Sequence, residues 1–96
     1  MKIVMKKYYI YIVTNKPRGV LYIGVTNNLM KRIQQHNSSH MKSFTGKYNL
    51  HYLVYYEEFD EIYDAIQREK QLKNRYREWK INLIEIVNPD WESIVL

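Results

Sequence analysis

The sequence predicts a small α/β sandwich, with helices packed on a three-stranded, mostly antiparallel sheet in the order β-β-α-β-α-α. Two runs of β-branched and aromatic residues flank the turn-forming stretch "NKPRG", the pattern of a hairpin. A third such run, "LHYLVYY", lies beyond a polar loop. Apolar residues at 3–4 spacing then recur from Ile62 to Trp79, the stripe of a long amphipathic helix.

The first strand is expected at Tyr8 to Thr14 and the second at Val20 to Val25. Between them Pro17 fixes φ, and Gly19 is expected to supply a positive φ. Thr26, Asn27 and Asn28 are N-cap candidates for a helix from about Leu29 to Asn37. Asn37 to Asn49 is polar and turn-rich, hence a loop; Leu50 to Tyr56 is the third strand. Asp60 is an N-cap candidate for the long helix, expected from Glu61 to Tyr76. A short helix from Lys80 to Ile86 follows, and Pro89 in "NPDW" prevents its continuation.

Ninety-six residues suffice for one domain with one modest core, here the whole of 1–96. Hydrophobic residues at 46% and charged ones at 26% exclude a disordered tail. A net charge of +5 favours a polyanionic partner, nucleic acid or an acidic surface. The absence of Cys excludes a disulfide framework, a thiolate metal site and a Cys nucleophile, and fits a reducing cytoplasm. No apolar run approaches the roughly 20 residues of a membrane span. The N-terminal "MKIVMKKYYIYIV" is basic and then apolar, but its Tyr content and the lack of a small-residue cleavage site speak against a signal peptide.

Several polar residues fall on faces that should be apolar. At 100° per residue, Glu69 lies about 20° from Ile62, in the middle of a stripe formed by Ile62, Ala65, Ile66, Leu72, Tyr76 and Trp79. Arg68 and Lys70 are expected to point away. A core-facing carboxylate must be paired or metal-bound; a structural ion pair is the simpler alternative. Arg32 and His36, at i and i+4, flank the apolar edge Leu29 and Ile33. Snorkelling or a salt bridge accounts equally for Arg32, and a helix-end position for His36. His40 extends the His36 spacing to an i,i+4 pair, but its place in the Ser-rich loop argues against a zinc site.

In the hairpin, Tyr9, Tyr11 and Val13 share one face, as do Val20, Tyr22 and Gly24. Tyr11 and Tyr22 are expected as cross-strand neighbours, for which plain aromatic packing is the alternative reading. Gly24 marks either a close backbone approach or a tight turn into the helix. Together, two phenols, an arginine, an imidazole and a carboxylate on one sheet face would form a set suited to phosphoryl chemistry. Arginine stabilises phosphate charge, a carboxylate holds a divalent cation, and Tyr or His accepts a proton from water.

These residues also carry a resemblance. The sequence resembles the GIY-YIG nuclease superfamily, close to its small single-domain bacterial members and to the N-terminal domain of excinuclease C. The half-motifs stand as Tyr9-Ile10-Tyr11 and Tyr22-Ile23-Gly24, with Arg32 ten residues after Tyr22 and His36 four further on. "AIQREKQLK" looks like the family's helix bearing its metal-binding Glu, here Glu69, and Asn88 matches a late Asn of many members. The resemblance spans Tyr8 to Trp91 and implies hydrolysis of DNA phosphodiesters with one Mg²⁺ or Mn²⁺ ion. By that resemblance Glu69 binds the metal and Arg32 clamps the scissile phosphate. Tyr22 and Tyr11 orient or deprotonate water, His36 is an alternative base or phosphate contact, and Asn88 supports the site. The chain departs from the motif at Tyr9, which stands where the family has Gly, so crowding of the cleft is an expectation to check.

Arg68, Lys70, Lys73, Arg75, Arg77 and Lys80 form a basic run. It reads as a complement to the helix macrodipole or as a phosphate-tracking face extended by Lys31, Lys42 and Lys47; Asn88 joins Lys31, Lys70 and Lys73 among the candidate nucleic-acid contacts. Family nucleases with defined tasks usually carry targeting domains, so a protein partner is a further expectation. Two other classes compete with a nuclease: a non-catalytic nucleic-acid-binding module on the same scaffold, and a protein-interaction domain that docks a partner or a second copy through its Tyr-rich surface.

Overall fold

The computed structural model describes residues 6–37 and 50–96. Its elements are β1 (Tyr8–Thr14), β2 (Leu21–Thr26), α1 (Leu29–His36), β3 (Tyr52–Phe59), α2 (Ile62–Lys73) and α3 (Arg77–Val87). The sheet is antiparallel throughout, with strand order β2-β1-β3. The expected fold class and element order hold. His40, Lys42 and Lys47 lie outside the described residues, so their expected roles stay with the sequence.

Strand alternation divides the core between the two faces of the sheet. Ile10, Ile12, Ile23, Val54 and Tyr55 pack with Ala65 and Leu72 of α2, Ile81 and Ile84 of α3, and Trp91. On the opposite face Tyr11, Val13 and Leu53 pack with Leu29 of α1 and Leu50, and Tyr9, Tyr22 and Ile33 flank them. A bulge adjusts β3. Ile12 pairs with Tyr55 and Val13 with Leu53, which leaves Val54 as an extra residue. Val54 and Tyr55 therefore both face α2 and α3, an arrangement strict alternation forbids.

Several local expectations differ from the structure. Gly19 does not supply the positive φ of the hairpin loop; Arg18 does, at φ 56°. Gly19 is needed for space, because a Cβ there would lie 2.1 Å from Asn15 Oδ1, the atom that accepts from the Val20 N–H at 2.9 Å. Arg18 is held by a bidentate bond to Glu85 at 2.9 and 3.0 Å. Asp60 does not cap α2. The N-cap is Glu61, with no side-chain capping bond, and Asp60 pairs with Lys7 instead.

The long helix stops at Lys73, where the Asn74 N–H closes on Lys70 O. α3 begins at once at Arg77, so Tyr76, expected in the buried stripe, is an extended N-cap residue and 77% exposed. The change of direction lets Ile81 and Ile84 reach the core. Ile62 and Ile66 also lie at the surface, and the buried line of α2 is Ala65 and Leu72. Arg68 does not point away. It binds Glu57 with two bonds of 2.9 Å, and Tyr55 donates to the same carboxylate.

Candidate active site

Gly24 organises the site. It lies directly opposite Tyr11 in the β1–β2 pair. A Cβ on Gly24 would lie 2.4 Å from Tyr11 Cζ and Oη, so only glycine lets the phenol cross the strand there. No positive φ is involved; close approach is the reason for the residue. Tyr22 pairs with Val13 and is Tyr11's diagonal cross-strand neighbour on the same face, as expected; the two rings stand 6.3 Å apart.

Asn28 starts α1, its side chain accepting from the Lys31 N–H at 3.1 Å. This fixes the phase that sends Leu29, Ile33 and His36 inward. His36 is the last residue of α1 and 1% exposed. Its Nε2 lies 3.0 Å from Tyr11 Oη, and its ring packs edge-on against both Tyr11 and Tyr22, at 5.4 and 5.6 Å. The helix-end position read from sequence is correct, and the side chain is buried there. Burial, then the Arg32 charge, then His51 lower the His36 pKa to about 4, so the ring is neutral near pH 7. His36 Nδ1 is buried and has no hydrogen-bond partner among the described residues.

Tyr11 is as deeply buried as His36. Burial raises its pKa well above the ordinary phenol value, Tyr22 adds to the rise, Arg32 opposes it and Glu69 again adds to it. Tyr11 thus sits in the fields of both Arg32 and Glu69. Arg32 makes no ion pair among the described residues. It borders a cleft of about 160 Å³ with Thr26, Asn27, Asn28, Lys31 and Gln35.

Glu69 arrives differently from the expected single-face arrangement. α2 packs its apolar line on the face opposite α1, so Glu69 contributes from the other layer. Its side chain is 17% exposed, and Lys73, one turn on, approaches at 3.2 Å with a side chain 52% exposed. A surface i,i+4 pair of this kind contributes little, roughly 0.3–0.5 kcal/mol, and does not account for a carboxylate between Ala65 and Leu72.

The candidate nucleic-acid contacts border different depressions. Lys31 borders the Arg32 cleft, whereas Lys70 lines a separate depression with Asp64, Gln67 and Asn74. The basic run is largely used within the fold. Arg68 holds Glu57, Lys73 holds Glu69, Arg75 lies 5.0 Å over the Trp79 ring, and Arg77 donates to the Arg18 carbonyl. Asn88 caps α3 at the β3 side. Its Nδ2 donates to Val54 O at 3.0 Å and Glu92 O at 2.9 Å, and its Oδ1 accepts from the Glu92 N–H. Those bonds engage both ends of the amide in tying the C-terminal segment to the sheet.

The GIY-YIG catalytic domain family matches residues 7–82. The chain belongs to the GIY-YIG family. It is 40% identical over 80 residues to a UPF0213 protein of Staphylococcus saprophyticus, covering 83% of this chain and 96% of that one. A UPF0213 protein of Clostridium perfringens is 40% identical over 76 residues, covering 79% and 81%. The solution structure of a UPF0213 protein from Bacillus halodurans superposes with a TM-score of 0.55 at 26% identity, covering 91% of this chain and 92% of that one.

Within a GIY-YIG domain, the departure at Tyr9 can now be placed. Its hydroxyl donates to Glu58 Oε1 at 3.1 Å, and its ring meets Tyr56 edge-on at 6.2 Å. The ring turns toward β3, while Tyr22 and His36 approach Tyr11 from the β2 side. Two nearby groups escaped the sequence reading. His51 Nδ1 lies 2.9 Å from the His36 carbonyl oxygen and steadies the end of α1; no pattern marks it, since it precedes β3 with no period. Glu58 lies in β3, which runs to Phe59, three residues beyond the expected end at Tyr56, because charged residues do not look like strand. Among the described residues no helix is long and apolar enough to cross a membrane.

Proposed function

We propose that this GIY-YIG domain is a metal-dependent endonuclease that hydrolyses DNA phosphodiester bonds. The observation that supports it most is the buried Tyr11–His36 hydrogen bond, built beside Arg32 and Tyr22 over a glycine that exists to admit it. Packing alone favours an apolar residue at each of these positions, since a buried polar pair gives little net stability.

Glu69 is the residue to hold Mg²⁺ or Mn²⁺. Among the described residues no group of three or more potential ligands occurs. One hard oxygen donor suits Mg²⁺, which retains several waters and commonly takes one or two carboxylates plus phosphate oxygens. When bound, the ion supplies Lewis-acid polarisation of the phosphate and stabilises the departing oxygen. The hydrolysis forms a bond from water oxygen to phosphorus and breaks one ester P–O bond. Arg32 binds the non-bridging oxygens and offsets the charge that grows on them. Tyr22, half-buried, meets the attacking water and relays its proton, the phenol oxygen accepting from that water as its own O–H proton passes to solvent. Tyr11, kept protonated by burial, orients that water. His36 meets the Tyr11 hydroxyl through Nε2 and acts as a positioning residue through Tyr11. Lys31 adds a phosphate contact beside Arg32, with Lys70 and Lys73 as more distant ones.

The test uses labelled duplex, single-strand, flap, junction and RNA substrates with Mg²⁺, Mn²⁺ or EDTA. Cleavage of a DNA substrate with metal and none in EDTA is expected. Salt-sensitive binding with no product on any substrate would replace this reading with a non-catalytic binding module.

A further inference from the structure

A second cleft adjoins that of Arg32 and has the opposite character. It measures about 330 Å³, at the lower end of the roughly 300–1,000 Å³ of small-ligand pockets, and is bordered by Tyr9, Tyr56, Glu58 and Met30. Asn27 and Asn28 border both clefts, so the two meet at the start of α1. Among the described residues the side chains bordering the Arg32 cleft include two cations, Lys31 and Arg32, whereas those bordering this one include no cation and one carboxylate, Glu58. A phosphate is attracted to the first and repelled by the second. Tyr56 is 40% exposed, and with Tyr9 it offers two phenol rings at the cleft wall. One Glu58 oxygen takes the Tyr9 hydroxyl, and this bond fixes the ring and the carboxylate together.

From these observations we infer that the Tyr9–Tyr56–Glu58 cleft is a base subsite, which takes one unpaired nucleobase carrying an exocyclic amino group while a neighbouring phosphate lies at Arg32. The inference rests on the proposed reading only in placing a phosphate at Arg32. Aromatic rings stack any base without regard to sequence. Selection comes from Glu58, which can only accept: it suits the N4 amino group of cytosine and repels the O4 carbonyl at the same position of uracil. Tyr9, the residue that replaces the motif glycine, thereby belongs to substrate selection instead of obstructing the cleft.

The test measures binding of short oligo-dC, oligo-dU and an abasic oligomer with equal phosphate number, all in EDTA. The wild type is expected to bind dC about 10-fold more tightly than the abasic strand and about 5-fold more tightly than dU. Tyr56→Ala should remove most of the advantage of dC over the abasic strand, and Tyr56→Phe, which keeps the ring, should retain it. Glu58→Gln, whose amide both donates and accepts, should bring dC and dU together. Equal binding of all three strands by wild type, or a dC advantage untouched by both Tyr56→Ala and Glu58→Gln, overturns the inference. Cleavage is measured separately with Mg²⁺. Base-selective binding without cleavage keeps the subsite and removes the nuclease reading, whereas cleavage without base selectivity does the reverse.

Discussion

The two faces of the sheet follow different rules. The face under α2 and α3 is apolar at its centre, with Ile10, Ile12, Val54, Leu72 and Ile84 fully buried. Its polar groups stand at the rim and are paired: Arg68 with Glu57 and Tyr55, Arg18 with Glu85, and Trp91 Nε1 with Glu85 at 2.7 Å. The face under α1 buries a phenol and an imidazole at its centre and leaves one ring nitrogen without a partner among the described residues. One layer is arranged for stability. The other gives up some stability to fix polar groups beside a cleft.

Substitutions on the α1 face should therefore impair activity more than stability, and those in the apolar core of the other face should do the opposite; Glu69, which stands on α2 but outside that core, is expected to behave like the α1 face. The largest effect on rate after the metal ligand is expected for Arg32→Ala, a loss of about 10²- to 10³-fold in cleavage with denaturation midpoints near those of wild type. Leu72→Ala, on the apolar face, should cost about 2–5 kcal/mol of stability in urea unfolding, while cleavage per folded molecule stays close to wild type. A Leu72→Ala protein that is fully stable would break the contrast from one side, and an unfolded Arg32→Ala protein would break it from the other.

Protonation sharpens the comparison. His36 has a folded-state pKa of about 4 against an ordinary 6.5. Between those values the unfolded chain binds more protons than the folded one, so stability falls as pH falls through that window. The loss approaches about 3 kcal/mol at its limit. Glu57, held below the usual carboxylate range by Arg68 and Tyr55 against the opposing effect of burial, adds its loss only at lower pH, below its unfolded value of about 4.5. Stability measured from pH 7 to 4 should decline in the wild type and decline less in His36→Gln. A parallel decline in both would remove the buried neutral imidazole from the account.

The smallest expected effects concern the rim. Arg68→Ala leaves the three-quarters-buried Glu57 carboxylate without its cation and with only the Tyr55 hydroxyl as partner, and should cost about 2 kcal/mol. Lys73→Ala breaks a half-exposed ion pair and should change stability by no more than about 0.5 kcal/mol. Both are read from thermal unfolding.

Much of this division was legible in the sequence, because strand alternation has a period of two and needs only the residue order. Tyr9, Tyr11, Val13 and Tyr22 fall on the side that order predicts. Arg32 and His36 follow from helical phase once Asn28 caps α1. Register was not legible: the Gly24–Tyr11 pairing depends on hairpin loop geometry, which the Arg18 backbone sets. The bulge at Val54 was invisible for the same reason, since nothing local marks which strand carries an extra residue. Glu69 is mostly buried, as its position on the helix predicts, although three members of the stripe, Ile62, Ile66 and Tyr76, are exposed. The basic run misled because sequence counts charges without their partners; four of its six members are engaged within the fold.

The most direct test of the account is a paired measurement on Glu69→Ala: Mg²⁺-dependent cleavage of the best DNA substrate, and urea unfolding of the same preparation. The account predicts a loss of cleavage of about 1,000-fold, several kcal/mol of transition-state stabilisation, with stability within about 1 kcal/mol of wild type and DNA binding in EDTA largely kept. Cleavage at the wild-type rate by a folded Glu69→Ala protein would contradict it.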